Sequence, residues 1–145
     1  MKRHAALQPL SRDHHVALVA AQRLRRATPE TAIDARAHFL AFWHEHGARH
    51  FRVEEDVLLP VYALHADPAD ERVARMLLDH VRIRARVLAL AEADEPGVEL
   101  LHALGEELAR HVRLEERQIF PLIEAMLPEA AAVDLVAAVQ EAERS

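Results

Sequence analysis

The segment HFRVEEDVLLP at residues 50–60 recurs in modified form as HVRLEERQIFP at residues 111–121. Both copies contain a histidine, two adjacent glutamates that begin four positions later, and a proline at the end. Residues four apart lie on the same face of an α-helix. Each copy therefore places an imidazole beside the carboxylate of its first glutamate, pairing His50 with Glu54 and His111 with Glu115.

A shorter repeat lies upstream of each copy. The dipeptide Asp13–His14 precedes the first copy, and Asp79–His80 precedes the second. The chain therefore reads as two similar helix hairpins. Each hairpin has Asp-His on its first helix and His-x-x-x-Glu-Glu on its second.

Composition limits the chemistry that this pattern can support. The chain has 145 residues, 51% of them hydrophobic, which is enough for one domain with a continuous core. It has no cysteine, so any metal must be held by His, Asp or Glu, and 11 histidines are present to do so. The net charge of -6 gives no electrostatic reason to expect a nucleic acid as partner.

The sequence also gives no reason to expect a membrane partner. The N-terminal residues MKRHAALQPL lack the apolar run of a signal peptide. No stretch approaches the roughly 20 apolar residues that span a bilayer. We therefore expect a soluble, cytoplasmic protein.

Helix signals predict an all-α fold. Only three glycines are present, and the abundant residues favour helix. Helix starts are expected at Ser11, Thr28–Pro29 and Asp67–Pro68, and a fourth helix after Pro96–Gly97. Short connections predict an up-and-down antiparallel four-helix bundle over about residues 10–127, with a short C-terminal helix at about 129–143, all in a single domain spanning 1–145. Pro60 and Pro121 are expected to kink their helices or to end the regular part of each.

The repeated histidines lie on the apolar stripes of their helices. Leu104 and Leu108 share a face with His111, and Ile83 shares a face with His80. His50 lies on the corresponding stripe of the second helix.

The first helix leaves an alternative open. Leu10, Ala17 and Leu24 share an apolar face with His14, whereas His15 lies among more polar positions. We predict His14 as the inward residue and keep His15 as its alternative.

Four histidines, one per helix, and two glutamates would then converge inside the bundle. Burying that many ionisable groups is costly unless they share a compensating partner, and a bound cation is such a partner. The predicted metal ligands are His14, His50, Glu54, His80, His111 and Glu115. Imidazole and carboxylate ligation without sulfur suits iron, manganese or zinc.

Other polar residues near this face have alternative interpretations. His46 precedes His50 by one turn, and Glu107 is its counterpart in the second repeat, so this pair could be additional ligands or lie just outside the ligands. Glu55 and Glu116 sit about 100° from the ligand face, which favours solvated or ligand-supporting carboxylates. Asp13 and Asp79 could likewise orient a ligand or be surface charges. The remaining histidines are expected on the surface or in ordinary packing: His4, His38, His44, His65 and His102.

Together, the dipeptides at 13–14 and 79–80 and the segments at 50–60 and 111–121 resemble the hemerythrin-like, HHE cation-binding, family. The resemblance implies a four-helix bundle with an oxo- or hydroxo-bridged non-haem di-iron centre. It would make the four histidines terminal ligands and the two glutamates bridges. Oxygen-carrying members have another histidine four residues after the third-helix histidine, where this chain has Arg84. The chain more closely resembles members with four histidines and two carboxylates, which are linked to nitrosative damage and iron supply.

The predicted function is therefore a non-haem di-iron protein that binds dioxygen, nitric oxide or iron, in sensing, storage or stress protection. One alternative is a di-iron enzyme that reduces nitric oxide or peroxide, or donates iron for repair. Another is a metal-free helical interaction module. The sequence leaves the oligomeric state and the redox partner open.

Overall fold

The computed structural model describes residues 2–145, which form five helices and no strand. Helix α1 is Gln8–Arg25, α2 covers residues 32–63, α3 is Glu71–Glu92, α4 covers residues 98–126, and α5 is Glu129–Arg144. The all-α class and the C-terminal helix expected from the sequence are confirmed. None of these helices is long and apolar enough to cross a membrane.

Helices α2 and α4 contain π-helical segments with i→i+5 hydrogen bonds. Two of these segments, Glu54–Leu58 and Glu115–Ile119, start at the first glutamate of each repeat. The N–H of Leu59 donates to the carbonyl oxygen of Glu54, and the N–H of Phe120 donates to that of Glu115. Pro60 and Pro121 follow directly and have no N–H to continue the α-helical pattern. Each proline therefore marks the end of a regular stretch, although the helix continues past it.

Polar contacts join neighbouring helices at positions spread along their lengths. Near one end of α1, the Ser11 hydroxyl donates to Glu116 of α4. Near its other end, the carbonyl oxygen of Ala27 accepts from His102. Two contacts join α3 to α4, Asp79–His111 and Arg86–Glu107, and two join α2 to α3, Glu55–His80 and Arg36–Ala93. Asp13–His50 joins α1 to α2.

Apolar side chains fill the interior in two clusters. One cluster includes Leu24, Leu90 and Leu101, and the other includes Leu10 and Phe120. Burying such side chains is the main driving force for folding. The polar residues of the repeats lie in the same interior.

Helix α5 covers the groove between α1 and α2. Its Leu135 and Val139 are buried in the second apolar cluster. At its C-terminal end, the Glu143 carboxylate lies 3.7 Å from the Arg49 guanidinium. Burial and the neighbouring Asp13 carboxyl group raise the pKa of Glu143 to about 7. The C-terminal helix is therefore joined to the bundle by apolar packing and by charged contacts.

Three predicted helix starts were wrong by a few residues. Helix α1 begins at Gln8 with Pro9 in its first turn, so Ser11 lies inside the helix and bonds to another helix instead of capping. Residues 28–31 form a turn in which the Thr28 N–H donates to the Thr31 hydroxyl, and α2 starts after it. Helix α3 begins at Glu71 because Asp70, rather than Asp67, caps it by accepting from the Arg72 N–H.

Candidate metal centre

Two overlapping groups of histidines and glutamates meet between α1, α2, α3 and α4. One group contains His14, His50, Glu54 and Glu115, and the other contains Glu54, His80, His111 and Glu115. Within each group, one nitrogen or oxygen from every residue lies within 4.8 Å of the others. The structure thus brings together all six residues that the sequence predicts as ligands, and both glutamates belong to both groups.

All six side chains are buried. Glu54 and Glu115 have no exposed surface, and the most exposed of the four histidines, His50, is 6% exposed. Each of the four helices contributes one histidine, and α2 and α4 each add a glutamate. His14 is buried whereas His15 is exposed, so the apolar stripe of α1 identified the inward residue correctly.

The Nε2 atoms of the histidines face the two glutamates. One oxygen of Glu115 lies 2.8 Å from Nε2 of His14, and its other oxygen lies 2.7 Å from Nε2 of His111. Glu54 is divided in the same way, with each oxygen 3.2 Å from a histidine, one from His50 and the other from His80. The four histidines form two pairs, His14 with His50 and His80 with His111. Each carboxylate therefore has one oxygen directed at the first pair and the other oxygen directed at the second pair.

Several of these inward atoms have no hydrogen-bond partner in the part of the chain that the structure describes. They include both carboxylate oxygens of Glu54 and Nε2 of His50. The Nε2 atoms of His80 and His111 lie 3.1 Å apart, and at most one of the two can donate to the other. Buried polar atoms without partners are rare and costly. A cation at each group would satisfy them, so the residues present fit metal ions.

The outward nitrogen of every one of these histidines meets a carboxylate from a neighbouring helix. Nδ1 of His14 lies 2.6 Å from Glu116, and Nδ1 of His80 lies 2.6 Å from Glu55. The other two contacts are His50 with Asp13 at 2.9 Å and His111 with Asp79 at 3.4 Å. A carboxylate on the far nitrogen fixes the ring orientation and tautomer of a metal-binding histidine.

These four carboxylates form a closed ring around the site. Each one is adjacent in sequence to a predicted ligand on its own helix and contacts a histidine of a neighbouring helix. The contacts are Glu116 with His14, Asp13 with His50, Glu55 with His80, and Asp79 with His111. The sequence left these residues open between supporting and surface roles. In the structure, each of the four contacts Nδ1 of a histidine.

Aromatic rings and an arginine further fix two of the histidines. Phe51 stacks on His80 with ring centroids 3.8 Å apart, and Phe120 stacks on His14 at 5.3 Å. Arg84 donates to Glu55 at 2.7 Å and lies over the Phe51 ring. Arg84 therefore supports His80 indirectly and belongs to neither group.

The electrostatics of the site show how strongly it attracts positive charge. Burial would lower the pKa of His80, but the nearby carboxylates of Glu115, Glu54 and Glu55 raise it to about 10. Burial would also lower the pKa of His111, but the charge of Glu115 and the contact with Asp79 raise it to about 9. Burial raises the pKa of Glu116, but bonds from His14 and Ser11 lower it to about 2. Without metal, protons on the imidazoles therefore balance the buried carboxylates.

The three residues kept as additional candidates lie outside both groups. His15 is exposed, the His46 side chain is 43% exposed, and Glu107 pairs with Arg86 at 2.8 Å. His46 lies in the π-helical segment Trp43–Gly47, whose i→i+5 turn changes its angular position relative to His50. Neither His46 nor Glu107 belongs to a ligand group, and a role for this pair just outside the ligands stays a prediction.

The other five histidines also lie apart from the site. His38, His44 and His65 are exposed, whereas His4 and His102 are partly buried. His102 bonds to a backbone oxygen and His4 lies near Glu129. Their expected surface or packing roles are confirmed.

A small cavity of about 20 Å³ adjoins the first group. It is lined by His14, His50 and His111, by apolar side chains that include Trp43 and Leu108, and by His46. This is about the space that one water molecule needs. A molecule of that size could reach the histidines from this side.

The fold and the geometry of the site define a class of protein: a helical protein with a buried histidine–carboxylate site for cations. The family model for the hemerythrin HHE cation binding domain matches residues 6–133. The chain belongs to this family, whose domain binds metal cations. No curated protein and no solved structure matches the chain.

Proposed function

We propose that the protein is an up-and-down four-helix bundle that holds two iron ions and binds a diatomic ligand, dioxygen or nitric oxide, in sensing or stress protection. The observation that carries the proposal is the division of the two glutamates. Each has one oxygen directed at each histidine pair, as a carboxylate that bridges two ions would have. His14, His50, His80 and His111 would be the terminal ligands.

The donor set supports iron. Each group offers two imidazoles and two carboxylates, which suits a six-coordinate ion with positions left for small ligands. The side chain at the position of Arg84 has no lone pair to donate and is held by Glu55, so it would not fill such a position. Bound iron would supply the electrons with which a diatomic ligand is held.

The protein would contribute orientation and exclusion of water. The outer carboxylates keep Nδ1 of each histidine engaged, which leaves Nε2 directed inward. The cavity beside His14 and His50 is lined by Phe42, Trp43 and other apolar groups, so it would admit a small uncharged molecule more readily than an ion.

The test is iron content together with the optical spectrum. Protein purified under iron-replete conditions should hold two irons per chain and show near-ultraviolet absorption from the bridged pair, which should change on adding oxygen or anaerobic nitric oxide. His14→Ala should lower the iron content, and the adjacent exposed His15→Ala should leave it unchanged.

Other outcomes would select another function. Iron-free protein after iron-replete expression and reconstitution would indicate a metal-free interaction module. Multiple turnovers of nitric oxide or peroxide, instead of a stable adduct, would indicate an enzyme. Iron loss in His15→Ala with retention in His14→Ala would contradict the ligand set.

A further inference from the structure

An arginine-lined groove runs along the surface between α3 and α4. Its volume is about 660 Å³, and five arginines line it: Arg72, Arg75, Arg110, Arg113 and Arg117. Leu78 and Leu114 add apolar surface, and Leu78 is 44% exposed. This α3–α4 groove is a concentration of positive charge on a chain whose net charge is -6.

Three of the five arginines have no acidic partner among the residues that the structure describes. Arg72 pairs with Asp70, and Arg75 lies near Asp79. Within residues 2–145, no carboxylate oxygen lies within 4.0 Å of the guanidinium groups of Arg110, Arg113 or Arg117, all on α4. An Arg cluster of this kind binds carboxylates well, because each guanidinium offers a planar set of donors.

The sequence repeat shows what occupies the corresponding groove of the first hairpin. Aligning residues 50–60 with 111–121 makes the α4 side of the α3–α4 groove equivalent to a surface of α2. That surface is lined by Arg49, Arg52, Val53, Asp56 and Val57, which match Arg110, Arg113, Leu114, Arg117 and Gln118. Ala142 and Ser145 of the α5 end lie against this surface.

Helix α5 supplies acidic charge to that first groove. Glu143 lies 3.7 Å from Arg49 and close to Asp13, the residue that supports His50. Asp79, which supports His111, is the equivalent of Asp13 and lines the α3–α4 groove. The first hairpin therefore has its groove covered by an acidic helix, whereas the equivalent groove of the second hairpin is open.

We propose that the α3–α4 groove binds an amphipathic helix of a partner protein that carries acidic side chains. Its carboxylates pair with Arg110, Arg113 and Arg117, and its apolar side chains cover Leu78 and Leu114. The mode of binding is that of a helix laid in a groove. The proposal does not depend on whether the interior holds a metal.

The probe is a labelled peptide of residues 128–145, which is the acidic helix α5 itself. In the full-length protein the first groove is already covered, so the α3–α4 groove is the one available to the peptide. Fluorescence anisotropy at low salt should show binding that weakens as salt is added. Arg113→Gln with Arg117→Gln should weaken binding about tenfold.

Matched controls separate this site from general electrostatic attraction. Arg23→Gln with Arg26→Gln removes the same charge from exposed positions in the last turn of α1 and just after it, and should leave the affinity unchanged. A peptide with Glu141→Gln and Glu143→Gln should bind more weakly than the natural sequence. Circular dichroism should show all variants equally helical.

Three outcomes would overturn the proposal. The first is no peptide binding, or binding of inorganic tripolyphosphate alone, which would mark a site for small anions. The second is peptide binding that ignores the groove arginines, as would follow from displacement of α5. The third is concentration-dependent self-association that Arg113→Gln with Arg117→Gln abolishes, which would make a second copy the occupant.

Discussion

Each histidine of the centre makes two different polar contacts. Its Nε2 faces inward to the shared glutamates, and its Nδ1 faces outward to a carboxylate of a neighbouring helix. The sequence could predict the inward contacts, because ligands four residues apart share a helix face with the apolar stripe. It could not decide the outward ones, because Glu55 and Glu116 point away from that face and their roles depend on which helix lies beside them.

The outward carboxylates should affect metal affinity without being ligands. Glu116→Gln removes the charge that faces Nδ1 of His14 while keeping an acceptor of similar size. We expect affinity for iron to fall by about 10-fold or more, as for other residues that support metal-binding histidines. Competition with a chelator of known affinity measures the change.

The matched control is Glu106→Gln, an exposed glutamate of the same helix. Its affinity should equal that of the unmodified protein. Equal affinities in all three proteins would show that Glu116 contributes nothing to the histidine it contacts.

At the scale of helices, the number and order of the helices could be predicted from the sequence, but their local irregularities could not. The prolines indicated where the α-helical pattern of α2 and α4 ends. No proline marks the π-helical segment Trp43–Gly47 in the sequence. Regular i, i+4 spacing therefore put His46 on the face of His50, whereas its side chain is 43% exposed. Gly47 lies in this segment, and a Cβ there would meet the Trp43 ring at 2.6 Å.

A glycine of α4 lies where this helix packs tightly against α1. A Cβ on Gly105 would lie 2.7 Å from the backbone oxygen of Ala21 and 2.9 Å from Cβ of Leu24. The backbone oxygen cannot move without shifting α1, so Gly105→Ala should lower the free energy of unfolding by about 1–2 kcal/mol despite the better helix propensity of alanine. Urea denaturation of the metal-free protein measures this change.

Gly97→Ala is the control for this substitution. No atom lies within 4 Å of a Cβ built at Gly97, so the change should be below about 1 kcal/mol. Similar losses in both variants would mean that the contact between α1 and α4 is not the cause.

At the scale of the whole molecule, the buried charges make stability depend on pH. The pKa of His80 rises to about 10 and that of His111 to about 9, above their ordinary value of 6.5. Their contribution to metal-free stability is therefore complete below pH 6.5 and is lost as pH rises through about 9 to about 10. Glu116 acts in the opposite sense, since its pKa falls to about 2, so its contribution is lost as pH falls below its ordinary value of 4.5.

Metal-free protein should therefore be most stable between about pH 4.5 and 6.5. Urea denaturation in the presence of a chelator, repeated from pH 3 to about 10, measures the profile. Metal-loaded protein should lose less stability at alkaline pH, because ligation requires neutral imidazoles. Metal-free stability that rose between about pH 7 and 10 would contradict the raised histidine pKa values.

The shared glutamates also divide the site between the two halves of the chain. Each histidine pair comes from one hairpin, but one of its two carboxylates comes from the other: Glu115 for His14 and His50, and Glu54 for His80 and His111. Neither hairpin alone contains a complete set of donors. If the chain were cut in the connection between α2 and α3, the fragments would need each other to bind a cation, so the ions would act as cross-links that hold two half-molecules together.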